Sequence, residues 1–187
     1  MTYTKAAIAY DSGDLTAAAS LAREALAEDP VFLPAMVVLG KAAFFSGDTE
    51  GAVSALERAE RYSPRSGTAS LWLARAYRQA GRDSDARLAC RRLLTADPDC
   101  VAALRLAADI ELDDEEAGAA MAFLDRAAEA AGETGLAFAD RAALRWASGN
   151  VDGAVRDLEA AVATLPCGSS ARAAAETLLE RIRESRR

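Results

Sequence analysis

The sequence predicts an all-α protein built as a solenoid of helix-turn-helix repeats of about 34 residues. Helix-stopping prolines recur at intervals of 34, 34 and 68 residues, at Pro30, Pro64, Pro98 and Pro166. Small residues recur in the same register, in two series: Ala18, Ala52, Ala86, Ala120 and Ala154; and Ala6, Gly40, Ala74, Ala108 and Ala142. Glycine recurs between the two helical halves of four repeats, at Gly13, Gly47, Gly81 and Gly149.

The clearest repeat covers residues 36–64 and shows how each element is predicted. Apolar residues follow helical spacing on both sides of a Ser46-Gly47-Asp48 break, and Pro64 ends the second half. Glycine accepts the strained backbone of a tight turn, and Asp48 is a good N-cap for the helix that follows. Equivalent caps are expected at Asp14 and Asn150. Large apolar side chains should fill the space between the helices, at Leu56, Cys90, Leu124 and Leu158.

The register divides the chain into five repeats and a last helix. The repeats cover about residues 2–32, 33–66, 67–100, 101–134 and 135–167, and the helix covers 169–185. The fourth repeat departs from the pattern, with Glu115 at the turn position and Gly132 at the proline position. The last helix has an apolar stripe of Ala171, Ala175, Leu178 and Ile182. Because solenoids need polar ends, we expect this helix to cap the fifth repeat. The alternative is that this helix packs against a second copy of the chain.

Composition and charge favour a folded, soluble protein and limit its partners. Of 187 residues, 51% are apolar and 27% charged, and the net charge is -7. A nucleic-acid or membrane-surface binder would need an excess of Lys and Arg, so neither partner is expected. The charge is uneven, however: residues 65–98 carry seven basic and three acidic groups, between acidic neighbours. Twenty arginines against two lysines suggest a GC-rich coding sequence and a bacterial source.

The residues needed for common catalytic and metal chemistry are missing from the sequence. It has no histidine, which removes Ser-His and Cys-His pairs and the usual catalytic zinc sites. The acidic run at residues 113–116 does not fit an EF-hand, which needs glycine where Asp114 stands. Three unpatterned cysteines and the lack of a secretory signal or a membrane span predict a cytoplasmic protein. We expect no catalytic residue, metal or cofactor.

The repeated positions resemble the tetratricopeptide repeat (TPR) family, whose signature is aromatic-x-x-Leu-Gly-x-x-Tyr, then Ala-x-x-x-Phe, then Ala and Pro. The second repeat matches at Leu39, Gly40, Ala52, Ala59 and Pro64, and the third at Leu73, Tyr77, Gly81, Ala86 and Pro98. The fifth repeat has Arg141 and Arg145 where Leu and Tyr are usual. The resemblance covers about residues 2–166. It implies a right-handed superhelical solenoid of about five repeats with a C-terminal capping helix.

The resemblance also implies a non-catalytic scaffold that binds another protein or a peptide in a concave groove lined by the first helices of the repeats. The register places these candidate binding residues on or beside the groove: Lys41, Phe44, Leu71, Trp72, Arg75, Arg78, Arg105 and Asp109. We expect a basic strip with apolar neighbours, suited to an acidic, partly hydrophobic segment. Two alternatives stay open. The arginines pair only with Asp109 and other local carboxylates, or the chain forms a homodimer through exposed aromatics or its last helix.

Overall fold

The computed structural model describes residues 2–113, 117–130 and 135–185, and every regular element in these ranges is an α-helix. The elements are α1 (Thr2–Asp11), α2 (Leu15–Glu28), α3 (Leu33–Ser46), α4 (Thr49–Tyr62), α5 (Gly67–Gln79), α6 (Asp83–Ala96), α7 (Val101–Asp113), α8 (Ala117–Ala130), α9 (Gly135–Ala147), α10 (Val151–Thr164) and α11 (Ser170–Ser185). The predicted all-α repeat fold is confirmed. Asp114, Glu115, Glu116 and Gly132 lie outside the described residues.

The helices fall into two compact units, Met1–Thr95 and Ala96–Arg187, called here the N-terminal and C-terminal units. Helix α2 ends at Glu28 and α3 begins at Leu33, and α4 ends at Tyr62 and α5 begins at Gly67. The division of the chain into five repeats with the bounds given above stays a prediction. A single right-handed array running through both units stays a prediction.

The turn inside a helix pair depends on glycine and a cap, as predicted. The four turn glycines have left-handed backbones, with φ between 69° and 84°: Gly13, Gly47, Gly81 and Gly149. Asp48 caps α4, because its Oδ1 accepts a hydrogen bond from the Gly51 amide at 3.0 Å. Asp14 and Asn150 make the same contact at the starts of α2 and α10. These bonds satisfy amides that a helix start leaves without partners.

The core of the second repeat depends on the close approach of α3 to α4 at Gly40. Leu56 is fully buried there, as predicted, and a Cβ built on Gly40 would lie no more than 3.0 Å from three of its side-chain carbons. Both series of small residues picked out by the register are buried. Cys90 is only 1% exposed, so it takes the place of a core leucine. Small residues on one helix therefore make room for large ones on the other.

The last helix, α11, covers the end of the fifth repeat. It packs against α9 and α10, and Ala175, Leu179 and Ile182 are buried in a core that includes Leu158. Leu178 is only half-buried, so Leu179 is the deeper of the two neighbours. The apolar stripe of α11 is thus covered by the chain's own helices, as expected of a cap.

In the C-terminal unit a network of paired charges replaces apolar packing between α8, α9 and α10. Arg141 Nε and Nη2 donate to the two carboxylate oxygens of Asp157 at 2.8 and 2.7 Å, and Arg145 Nη1 donates to the same carboxylate at 2.7 Å. Both arginines also reach Asp125 Oδ1, at 2.9 and 3.3 Å. Asp157 is 4% exposed. Its hydrogen bonds raise the pKa of Arg141, which keeps that guanidinium charged.

We expect Gly40→Ala to lower the free energy of unfolding by about 1 to 2 kcal/mol. Overlap with the buried Leu56 side chain outweighs the better helix propensity of alanine. Gly118→Ala is the control, because a Cβ there meets nothing within 4 Å, and it should be neutral or mildly stabilising. Urea unfolding followed by circular dichroism measures both.

The contact is isolated by a double-mutant cycle. Leu56→Ala alone should cost about 2 to 5 kcal/mol, and adding Gly40→Ala to it should cost less than adding it to the wild type. Equal costs of Gly40→Ala in the two backgrounds would contradict the packing described.

Asp157→Ala should destabilise the protein by about 3 kcal/mol, because it leaves two largely buried guanidinium groups short of a carboxylate. The third repeat offers a matched rescue, since it carries Leu73, Tyr77 and Ala89 at the positions of the two arginines and Asp157. The triple variant Arg141→Leu, Arg145→Tyr, Asp157→Ala should recover most of the lost stability. A triple variant less stable than Asp157→Ala would show that the charges are not exchangeable for apolar packing.

Candidate protein-binding surface

The candidate surface lies on the first helices of the three repeats in the N-terminal unit. Helix α3 contacts both α1 and α5, so these three helices lie side by side. Aromatic and cationic side chains from all three meet in one cluster. We call it the aromatic-basic surface and define it by six residues: Tyr10 of α1, Lys41, Phe44 and Phe45 of α3, and Trp72 and Arg75 of α5.

Three aromatic rings form the centre of the aromatic-basic surface. Phe44 and Phe45 are edge-to-face with a centroid distance of 5.2 Å, and Trp72 lies 5.6 and 5.5 Å from them. Tyr10 joins at 6.2 Å from Phe45. Such tilted arrangements are the preferred geometry of aromatic pairs. Phe45 nevertheless stays 54% exposed, which is unusual for a ring of this size and leaves an apolar surface open.

Two cations lie over these rings. Lys41 Nζ is 4.2 Å from the centre of the Tyr10 ring and 5.3 Å from that of Trp72, and Arg75 Cζ is 4.7 Å from Trp72. Cation–π contacts of this kind fix the position of a charge without neutralising it. In the part of the chain that the structure describes, no carboxylate forms an ion pair with Lys41 or Arg75. The surface therefore holds two positive charges in an acidic protein.

The pKa of Tyr10 is raised, first by its burial and then by the negative charge of Asp11. Arg75 acts in the opposite direction and lowers the pKa, because a cation stabilises the phenolate. Tyr10 therefore responds to both a positive and a negative charge nearby.

Of the eight predicted site residues, the structure brings four together: Lys41, Phe44, Trp72 and Arg75. Leu71 is half-buried on α5, next to Trp72 in sequence. Arg78 Nη1 lies 3.5 Å from Asp83 Oδ1. Arg105 and Asp109 belong to the C-terminal unit, where Arg105 pairs with Asp140. Arg78 and Arg105 therefore pair with nearby carboxylates, as the alternative expects, whereas Lys41 and Arg75 do not.

Two residues of the aromatic-basic surface, Tyr10 and Phe45, were not among the eight predicted. The register places Tyr10 on the groove and Phe45 beside it, so their location can be predicted from the sequence. Phe45 carried a further signal, because the equivalent positions in the first and third repeats are Asp11 and Gln79. A large aromatic where neighbouring repeats are polar indicates a surface with a use beyond packing.

A second depression, on α4 and the turn after α5, is lined in part by Glu57 and Arg82, which pair with each other and with neighbouring polar groups. The Tyr77 hydroxyl donates to Glu57 at 2.9 Å, and Arg82 lies over the Tyr77 ring and pairs with Asp85. Burial and the Glu57 hydrogen bond raise the pKa of Tyr77 to about 12.

Among residues 2–113, 117–130 and 135–185, no group of His, Cys, Asp and Glu is arranged to hold a metal ion. No helix in those ranges has the length and hydropathy of a membrane span.

Comparison with known proteins agrees with this fold. A family model for the tetratricopeptide repeat matches residues 37–99. A thermophilic TPR protein of Thermus thermophilus superposes with a TM-score of 0.79 at 19% identity, over 96% of this chain and 97% of its own. YrrB, a TPR protein with an unusual peptide-binding site, gives 0.65 at 16% identity, over 94% and 90%. Yeast Tom70 gives 0.80 at 14%, over 99% of this chain and 40% of its own. No curated protein sequence matches the chain.

Residues 37–99 thus match the tetratricopeptide repeat in sequence, and the described residues have the fold of solved tetratricopeptide repeat proteins. Proteins with this repeat generally mediate contacts between proteins. The identities to these solved structures are all below 20%, so the structures establish the fold and leave the binding site to be argued from this chain's own residues.

Titration of Tyr10 tests the arrangement of charges around the aromatic-basic surface. We expect Arg75→Gln to raise the pKa of Tyr10, since it removes the cation that favours the phenolate, and Asp11→Asn to lower it. NMR titration of the tyrosine ring carbons measures the pKa, with Tyr10→Phe identifying the resonance. Unchanged titration in both variants would mean that neither charge lies near the ring.

Proposed function

We propose that the protein is a non-catalytic interaction scaffold that binds an acidic, partly hydrophobic segment of a partner protein on the aromatic-basic surface. The observation that carries the proposal is the pair of cations, Lys41 and Arg75, held over aromatic rings with no carboxylate partner among the described residues. Aromatic side chains together with arginine are the composition typical of binding hot spots. Tyr10 and Phe45 extend the surface, so that apolar contact is available beside the charge.

Charge complementarity determines the kind of partner. The cations over Tyr10 and Trp72 would be desolvated together with an incoming segment, which favours a carboxylate as their counterion. A cationic segment is disfavoured because Lys41 already lies over the two rings that would attract it. The exposed Phe45 ring supplies the hydrophobic part of the contact. We infer a cytoplasmic partner from the cysteine pattern of the sequence.

A second candidate function is self-association, and the exposure of Phe45 is the observation that favours it. The other route to a homodimer, through the last helix, has less support because the buried face of α11 packs on α9 and α10. The partner-binding proposal is preferred, since a homodimer would need acidic groups of one copy to reach Lys41 and Arg75 of the other.

Selection of binders from a displayed library of random peptides tests the proposal. We expect enriched peptides to combine an acidic residue with an aromatic or aliphatic one. Synthetic copies, measured by calorimetry, should lose at least about tenfold in affinity for the variant Lys41→Glu, Arg75→Glu, because the reversed charges repel the acid. Added salt should weaken binding to the wild type in the same direction.

The matched control is Arg91→Glu with Arg92→Glu, which makes the same change in net charge at exposed positions of α6. This variant should retain affinity, and circular dichroism should show equal helix content in all three proteins. Equal loss of affinity in both double variants would show a general charge effect and contradict the proposed surface. A tight dimer by light scattering that buries Phe45 would favour self-association instead.

A further inference from the structure

Building on the proposed function, we propose that Asp11 sets the direction in which a partner segment lies on the binding surface. The partner's acidic side chain lies at Lys41 and Arg75, and its apolar side chain enters a depression beside Phe45. A second acidic residue beyond the apolar one is disfavoured by Asp11. Asp11 would then be a specificity-determining residue. The partner segment is accordingly one with a single acid close to an apolar anchor, and a uniformly acidic segment binds more weakly.

The aromatic-basic surface continues into an open depression. Tyr10, Asp11, Gly13, Leu15 and Phe45 line it, at the turn between α1 and α2. Tyr10 and Phe45 belong both to the depression and to the aromatic-basic surface. Its walls are therefore apolar on the side that faces Lys41, which suits an aliphatic or aromatic side chain better than a polar one.

The depression has a negative rim. Asp11 is exposed at the end of α1 and makes no ion pair or side-chain hydrogen bond with any described residue. Asp11 lines the depression together with Tyr10 and Phe45, whereas Lys41 lies over the Tyr10 ring and Arg75 over the Trp72 ring. In agreement with this placement, the charges of Asp11 and Arg75 shift the pKa of Tyr10 in opposite directions. A segment crossing this ring passes from a place that attracts a carboxylate to a place that repels one.

The distances between these groups set the spacing of the partner's side chains. Lys41 Nζ lies 4.2 Å from the Tyr10 ring, and the Tyr10 and Phe45 centroids are 6.2 Å apart. An extended chain advances about 3.3 Å per residue, so the acid and the apolar anchor should be about two residues apart. Asp11 lines the same depression as Phe45, so residues that follow the anchor pass close to its carboxylate. The order acid, anchor, flanking residue is the same whichever way the chain runs.

Three blocked peptides containing Glu-Ser-Phe-Ser-Xaa, with Xaa as Lys, Gln or Glu, provide the test. Their binding is followed by NMR through the indole N–H of Trp72, which lies in the surface, with Trp146 of the C-terminal unit as the internal reference. For the wild type we expect the Lys peptide to bind about three- to tenfold more tightly than the Glu peptide, with Gln between them. In Asp11→Asn the three affinities should become nearly equal.

The control variant Glu24→Gln removes one negative charge from an exposed position of α2 and should keep the wild-type order. Equal affinities of the three peptides for the wild type, or an unchanged order in Asp11→Asn, would overturn this role of Asp11 while leaving the proposed function intact. If no peptide shifts the Trp72 resonance, the proposed function itself fails. Shifts of Trp146 alone would place binding in the C-terminal unit and overturn both.

Discussion

The close approach of the two helices inside each repeat is the constraint on which the rest of the structure depends. At Gly40 there is no side chain, and the space is filled completely by Leu56 from the facing helix. Protein interiors are packed as densely as organic crystals, so one added methyl group at such a crossing has no room. The same position is a small, buried residue in each of the five repeats.

Because packing uses a fixed set of positions, other faces of the helices are free to carry function. In the N-terminal unit α1, α3 and α5 lie side by side, and each contributes to the aromatic-basic surface. Tyr10 and Trp72 are 62 positions apart in the sequence. They contact the same lysine because the repeat period places successive first helices next to one another. Specificity can therefore change at these positions without a change in the core.

The two units use arginine in different ways. In the C-terminal unit Arg141 and Arg145 share the buried carboxylate of Asp157, and the charges stabilise the contact between neighbouring helices only as a set. In the N-terminal unit Arg75 lies over Trp72, and no described carboxylate pairs with it. Residue type alone does not distinguish these roles. The nearest group, a carboxylate or an aromatic face, decides whether an arginine supports the fold or a binding surface.

The sequence by itself determined the repeat: helix pairs every 34 residues, their turns and caps, and the burial of Leu56 and Cys90. These are local consequences of glycine and proline geometry and of helical periodicity, so they can be predicted from spacing. Only the tertiary structure decided which cations lack a carboxylate. The register assigned Arg75 and Arg105 to the same groove, yet Asp140 from the next repeat pairs with Arg105 while Trp72 lies under Arg75. Side-chain partners come from other helices, and their choice among several rotamers depends on packing that sequence spacing does not encode.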